Sequence, residues 1–204
     1  IKKKLKFNFI PGNLGQWKKF ERNKFIIWIA GINKEEKIKA IEKNLNNKFD
    51  AINRNKVIKI LGNQFGVIIS NENWLFAATD YSRSYPIFWK LNEDNITLCP
   101  QASLVKNKNH QINLEQLQAY RMSGYTIDDN TLWSGINNLK SGTYLFFTKK
   151  PSLVLKQYFL YQPWGYKRKK DLTYENILKK EINKLFINII KEAKGRRIIV
   201  PLSA

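Results

Sequence analysis

The side chains able to do chemistry in this chain of 204 residues are few and lie far apart. Cys99 is the single cysteine and His110 the single histidine. A thiol is a nucleophile once it ionises. Cys99, however, ends the run Ile96-Thr97-Leu98 and precedes Pro100, so it reads as a packed structural residue. His110 stands between Asn109 and Gln111, with no second histidine or cysteine to complete a metal site. The cluster Asp80-Tyr81-Ser82-Arg83-Ser84 could bind a ligand. Turn chemistry explains it better, since Asp and Ser bond their own backbone, and Arg83 then pairs with Asp80 or faces a following domain. Near the other end, Ile198-Ile199-Val200 predicts a strand buried on both faces of a parallel sheet. Pro201 and the trio Leu202-Ser203-Ala204 then turn the chain where open α/β sheets hold anionic phosphates, beyond the carboxyl end of a strand. The plainer reading of Ser203 is a strand-end serine.

Composition bounds what these residues can belong to. With 43% hydrophobic and 13% aromatic residues, the chain can bury a sizeable core, which excludes global disorder. The formal net charge of +20 raises nucleic acid as a partner. Two features disfavour it: lysine outnumbers arginine, whose fork reads bases, and the lysines are scattered rather than clustered. No run of about 18 apolar residues exists, so no helix spans a membrane. The basic start Ile1-Lys2-Lys3-Lys4 is broken by Asn8, Pro11 and Gly12 before a signal-peptide core can form. A lone cysteine excludes a disulfide framework and fits a reducing, cytoplasmic setting. The absence of an initiating Met and the abrupt end at Ala204 lead us to expect a fragment.

The elements that must position these residues are legible in part. Residues 1–24 are poorly patterned, with a short alternation at Leu5, Phe7 and Phe9. Phe25–Ala30 predicts a buried strand, and a helix follows with Asn33 as N-cap, Glu35 and Glu36 in its first turn, and Ile38, Ile41 and Leu45 on one face. Val57–Leu61 is an apolar segment, helical or extended, ending at Gly62. Phe65–Ser70 and Trp74–Thr79 make a hairpin, and Pro86–Lys90 with Ile96–Cys99 a second. Four strands joined by short turns predict one antiparallel sheet. A helix is expected over Leu114–Met122, starting at Asn113 and stopping before Gly124. Residues 143–147 and 153–158 predict a third hairpin around Lys149-Lys150-Pro151. Gln162 to Lys170 reads as a linker. Beyond it Asp171 or Thr173 caps a helix with Leu178, Ile182, Leu185 and Ile189 on one stripe, widened by Phe186 and Ile190 and stopped by Gly195.

The order of these pieces resembles the glutamine-hydrolysing asparagine synthetase family. Leu61-Gly62-Asn63-Gln64-Phe65-Gly66-Val67-Ile68 is similar to its "L-x-G-x-F-A-x-x" strand. Ala77-Ala78-Thr79-Asp80 through Pro86-Ile87-Phe88-Trp89 is similar to "A-x-D-x-x-G-x-x-P-L-Y-Y". Leu132-Trp133-Ser134-Gly135-Ile136 to Ser141-Gly142-Thr143-Tyr144 resembles the "I-x-x-L-x-P-G" passage, and Tyr158 and Trp164 its "Y-W" exit. Val200-Pro201-Leu202-Ser203 resembles the opening of the "V-P-V-x-L-S-G-G-x-D-S" pyrophosphate loop, with Ala204 in place of the first glycine. The resemblance covers roughly residues 57–204, and its specificity lies in the order of individually weak motifs.

That resemblance implies an α+β chain: an N-terminal-nucleophile-hydrolase-like antiparallel β-sandwich flanked by helices, then the first helix and strand of an α/β ATP-pyrophosphatase domain. The implied domains are a degenerate glutaminase-like domain over 1–161, a linker over 162–170 and the start of the synthetase domain over 171–204. It implies ATP and Mg2+ as cofactors of a full-length parent and none for the fragment. Leu202, Ser203 and Ala204 are its ATP/pyrophosphate-binding residues. The family's glutaminase needs an N-terminal cysteine whose own α-amine serves as base. Ile1 cannot supply it and Cys99 has no free α-amine. The arginine loop and the "N-G-E" segment are absent, with Ala30-Gly31 an echo of the latter. Asn53-Arg54-Asn55-Lys56 stands where an acidic residue would hold glutamine's ammonium. The expectation is therefore a synthetase with an inactive glutaminase and no catalytic residue in this chain. It would adenylate a small-molecule carboxylate and use ammonia or an amine. Its partners are its own C-terminal synthetase domain and, in an allowed assembly, a second copy as a homodimer. A non-catalytic scaffold and a basic nucleic-acid-binding module are the alternatives.

Overall fold

The computed structural model describes residues 6–13, 15–45, 49–93, 95–148, 152–162 and 174–200. The chain divides into two units, Ile1–Tyr161 and Gln162–Ala204. Its described part is mixed α+β, with two sheets and four α-helices.

The larger sheet of the first unit is built from β2 (Trp17–Arg22), β3 (Phe25–Gly31), β4 (Phe65–Ser70), β5 (Trp74–Thr79), β9 (Thr143–Thr148) and β10 (Ser152–Gln157). It runs in the order β10-β9-β5-β4-β3-β2, antiparallel throughout. The smaller sheet contains β1 (Lys6–Phe9), β6 (Phe88–Asn92), β7 (Asn95–Cys99) and the two-residue β8 (Asn137–Asn138), in the order β1-β7-β6-β8. Helices α1 (Lys34–Glu42) and α2 (Ala51–Leu61) link β3 to β4, and α3 (Leu114–Ser123) follows β7.

Side chains alternating along the central strands explain the layering. Val67, Ile69, Phe76 and Ala78 enter one core with Ile38 and Ile41 of α1 and Val57, Ile58 and Leu61 of α2. Their neighbours Ile68, Leu75 and Ala77 enter the other, with Ile87, Trp89, Ile96 and Leu98 from and beside the smaller sheet. Helices, large sheet and small sheet therefore form three layers. Because both faces are covered, β4 and β5 read as unbroken apolar runs although their sheet is antiparallel. Phe49 is fully buried against Trp74, the rings stacked with centroids 4.5 Å apart, a contact worth about 1 kcal/mol beyond area burial.

Several expectations change. The two central hairpins do not share one sheet: β4–β5 lies in the larger and β6–β7 in the smaller, the chain crossing between Thr79 and Phe88. β1 pairs with β7 in parallel, Lys6 opposite Asn95 and Phe9 opposite Leu98. β2 has no readable alternation because Trp17 and Phe20, three apart, point to opposite faces, one into each core. Val57–Leu61 is helical, within a helix capped by Asp50, whose side chain accepts from the Asn53 amide. Asn33 takes the N-cap position of α1 in the left-handed conformation and makes no side-chain cap bond. Asn113 does cap α3, accepting from the Gln116 amide at 3.2 Å, and Gly124 ends it with φ 81°.

In the second unit, α4 (Tyr174–Ala193) carries the expected stripe of Leu178, Ile182, Leu185 and Ile189, all exposed. Gly195, at φ 78°, follows its end. Ile198–Val200 forms no strand and is exposed, against the expectation of a buried parallel strand. A strand exists only by pairing, and among the described residues these three pair with none. The candidate caps Asp171 and Thr173, linker residues 163–170, and the site residues Leu202, Ser203 and Ala204 lie outside the described residues.

Candidate functional site

The connection that crosses between the sheets is held by one carboxylate. Asp80, at the end of β5, is fully buried. Its Oδ2 accepts from the Phe65 amide at 3.0 Å and the Ser84 amide at 3.2 Å, and its Oδ1 from the Ser82 amide at 2.7 Å. A buried carboxylate is costly unless donors surround it, and three backbone N–H groups do so here. The backbone of Asp80 is equally engaged: its N–H donates to the Phe65 carbonyl, and its carbonyl accepts from Gly142 and Arg83. The hydroxyl of neighbouring Thr79 donates to the Lys140 carbonyl at 2.8 Å. The Thr79 carbonyl accepts the phenol of Tyr158. Burial, then the Asp80 charge, push the Tyr158 phenol well above its ordinary range. Gly142 has φ 60°, and a Cβ there would lie 2.5 Å from the Phe159 carbonyl oxygen; only glycine fits.

Arg83 does not pair with the Asp80 carboxylate, as the sequence allowed. Its half-buried guanidinium donates through Nη1 to Asn138 Oδ1 at 2.9 Å, and burial lowers its pKa from the ordinary arginine value. The buried Asn138 is itself fixed, its Nδ2 donating to the Asn130 carbonyl at 3.1 Å. Lys140 forms an exposed ion pair with Asp128 at 3.0 Å. Beside the Asp80 corner these groups line a polar cleft of about 390 Å³, joined by Ser82, Ser141 and Gln157. Asn138 and Lys140 also border a second hollow of about 190 Å³ with Thr143 and Leu155. Sequence reasoning missed Asn138 and Lys140. The available signal was the polar pair Asn137-Asn138 set between the apolar Ile136 and Leu139.

The remaining candidates fall elsewhere. Cys99 is fully buried, donates to the Gln101 carbonyl at 3.0 Å, and burial pushes its thiol up to about 11. It is a packed thiol and, at neutral pH, no nucleophile. His110 Nε2 lies 3.0 Å from the Lys90 ammonium, and Nδ1 lies 2.7 Å from Asn107 Oδ1 and 3.0 Å from the Asn107 backbone nitrogen. Among the described residues no group of three His, Cys, Asp or Glu side chains could hold a metal. Arg54 donates to the Phe49 carbonyl, with its guanidinium 4.1 Å from the Phe146 ring centroid. It packs as a cation over an aromatic face.

No family model matches the chain, and no curated protein matches it. Among solved structures it is similar to glutamine phosphoribosylpyrophosphate amidotransferase from B. subtilis complexed with ADP and GMP. Identity is 11% and the TM-score 0.39, over 71% of this chain and 32% of that one. It is also similar to a structure described as the allosteric regulatory enzyme of purine biosynthesis, at 10% identity and TM-score 0.36, over 71% and 31%. The chain thus spans about a third of each of these proteins.

Proposed function

We propose that this chain belongs to an asparagine-synthetase-like, ATP-dependent amidotransferase and contributes a glutaminase-like domain that does not hydrolyse glutamine. One observation carries the reading. Of the five passages that resemble the family, four meet at a single corner, through Phe65, Asp80, Gly142 and Tyr158. Asp80 binds the amide of Phe65 and the amide of Gly142, Gly142 accepts from Tyr158, and Tyr158 closes on Thr79. Chance motif matches have no reason to share a hydrogen-bond network.

Inactivity of the glutaminase rests on internal residues. The segment proposed to face the ammonium of glutamine carries the Arg54 guanidinium, and like charge repels an ammonium. In the parent protein, ATP with Mg2+ supplies the activation of a carboxylate by adenylation, and ammonia or an amine completes the amide. The phosphate-binding part of that role falls on Leu202, Ser203 and Ala204. Serine and alanine are small enough for a backbone to approach phosphate closely. Incubation of the full-length protein with glutamine, followed by assay of glutamate, tests the inactive half. No glutamate above the buffer control is expected, and steady release would overturn this part.

A basic nucleic-acid-binding module is the second reading, favoured at one place. Lys106, Lys108 and His110 line a cleft of about 560 Å³ with Trp133. The Lys106 ammonium sits 3.7 Å from the Trp133 ring centroid, over the face on which a base would stack. The ring is therefore already partnered, and this reading ranks behind the first. Retention on single-stranded nucleic acid at about 200 mM salt would raise it.

A further inference from the structure

We propose that the cleft beside the Asp80 corner binds a small oxyanion, phosphate or carboxylate in kind, with Arg83 as its principal cation and Lys140 as its second. The inference stands on the cleft's geometry and does not require the family reading.

Arg83 has φ 53°, in the left-handed region, where a long side chain is disfavoured and glycine or asparagine sits without penalty. The turn does not need an arginine. Its closure uses the Asp80 carboxylate and backbone groups, Arg83 contributing only its N–H to the Asp80 carbonyl. A strained position that keeps a large charged residue points to a use for the side chain. Asp128, on the same cleft, is also left-handed, at φ 60°.

The guanidinium is held ready. A guanidinium has five donors in a planar fork, and among the described residues Asn138 Oδ1 is the one protein acceptor that the Arg83 guanidinium meets. Asn138 cannot turn away, because its amide is tied to the Asn130 carbonyl. The result is a partly desolvated cation, fixed in direction, with donors left over. Such a fork suits bidentate recognition of a carboxylate or a phosphate. Lys140 brings a second positive charge, and Ser82, Ser141 and Gln157 bring neutral donors. Asp128 is the one carboxylate on the cleft and is already paired with Lys140. A volume of about 390 Å³ admits a polyanion the size of pyrophosphate or citrate.

The test measures binding of sodium pyrophosphate and of sodium citrate to the 204-residue chain by titration calorimetry at constant ionic strength. The wild type and Arg83→Gly, Arg83→Asn and Lys59→Ala are compared, Lys59 being an exposed lysine that lines neither cleft. Constant ionic strength removes the general attraction of a chain of net charge +20 for anions. The expected result is saturable binding of one probe, weakened at least about tenfold in Arg83→Gly and Arg83→Asn and unchanged in Lys59→Ala. Preference for pyrophosphate assigns the phosphate class, and preference for citrate the carboxylate class. Both replacements suit a positive φ but give up the bond to the buried Asn138 Oδ1, so thermal unfolding of each variant is recorded and binding is compared at a temperature where all are folded. Absence of binding to either probe, or equal binding by the Arg83 variants, would overturn the proposal.

Discussion

The Tyr158 phenol donates to the Thr79 carbonyl across 79 positions of sequence, one residue away from the buried Asp80 carboxylate. This bond ties the end of β10 to the end of β5 beside the sheet-to-sheet crossing. It makes the corner a closed network rather than a simple turn.

Tyr158→Phe should therefore cost about 1–3 kcal/mol, the range for leaving a buried acceptor without its donor. Urea unfolding of wild type and variant measures it. The pH dependence has a definite sign. The folded phenol holds its proton above the ordinary tyrosine value, so its contribution is complete below about pH 10. As pH rises further the unfolded chain ionises first, and stability falls. Above about pH 10 the wild type should lose stability more steeply than Tyr158→Phe. Parallel curves would show that the phenol is not held as described.

Asp80→Asn keeps the shape and removes the charge. One oxygen becomes an amide donor facing backbone N–H groups, so at least one buried donor loses its acceptor. A loss of about 2–4 kcal/mol is expected, from the cost of an unpaired buried group at a charge-assisted site. A thermal midpoint equal to wild type would contradict the role given to Asp80.

Gly142→Ala places a Cβ against the Phe159 carbonyl at a positive φ. It should destabilise by about 2 kcal/mol or more, as backbone-incompatible substitutions do. Gly135→Ala, where φ is 75° but nothing lies within 4 Å of the added Cβ, should cost less. The difference between the two isolates the close approach from the dihedral penalty.

Cys99 should be inert towards a disulfide reagent at pH 8 in the folded chain and react after addition of denaturant. Its thiol is buried and its pKa is about 11. Rapid labelling of the native protein would contradict the packed assignment.

How much of this was legible follows from where each signal lies in the chain. Strands β3, β4, β5, β6, β7 and β9 announce themselves by apolar runs bounded by turn residues, and α3 by Asn113 and Gly124 at its ends. β2 was hidden because Trp17 and Phe20 serve different cores. The partition into two sheets was hidden because a hairpin fixes only its own pairing, and both central hairpins have the same local pattern. Asp80 was correctly read as turn chemistry, a local property. Its ties to Phe65 and Gly142, and that of Arg83 to Asn138, join residues 15, 62 and 55 positions apart. No local rule reaches that far. The strand expected at Ile198–Val200 depended on pairing partners, which β-branched composition does not supply.

The most direct test of the account is pyrophosphate release from ATP and Mg2+ by the full-length protein, across a panel of carboxylates. Each is assayed with ammonium or with glutamine as the nitrogen source. The account predicts repeated turnover with at least one carboxylate when ammonium is present, and at most the single release that accompanies adenylation when glutamine replaces it. Release sustained by glutamine would contradict the inactive glutaminase, and no release under any condition would contradict the synthetase reading itself.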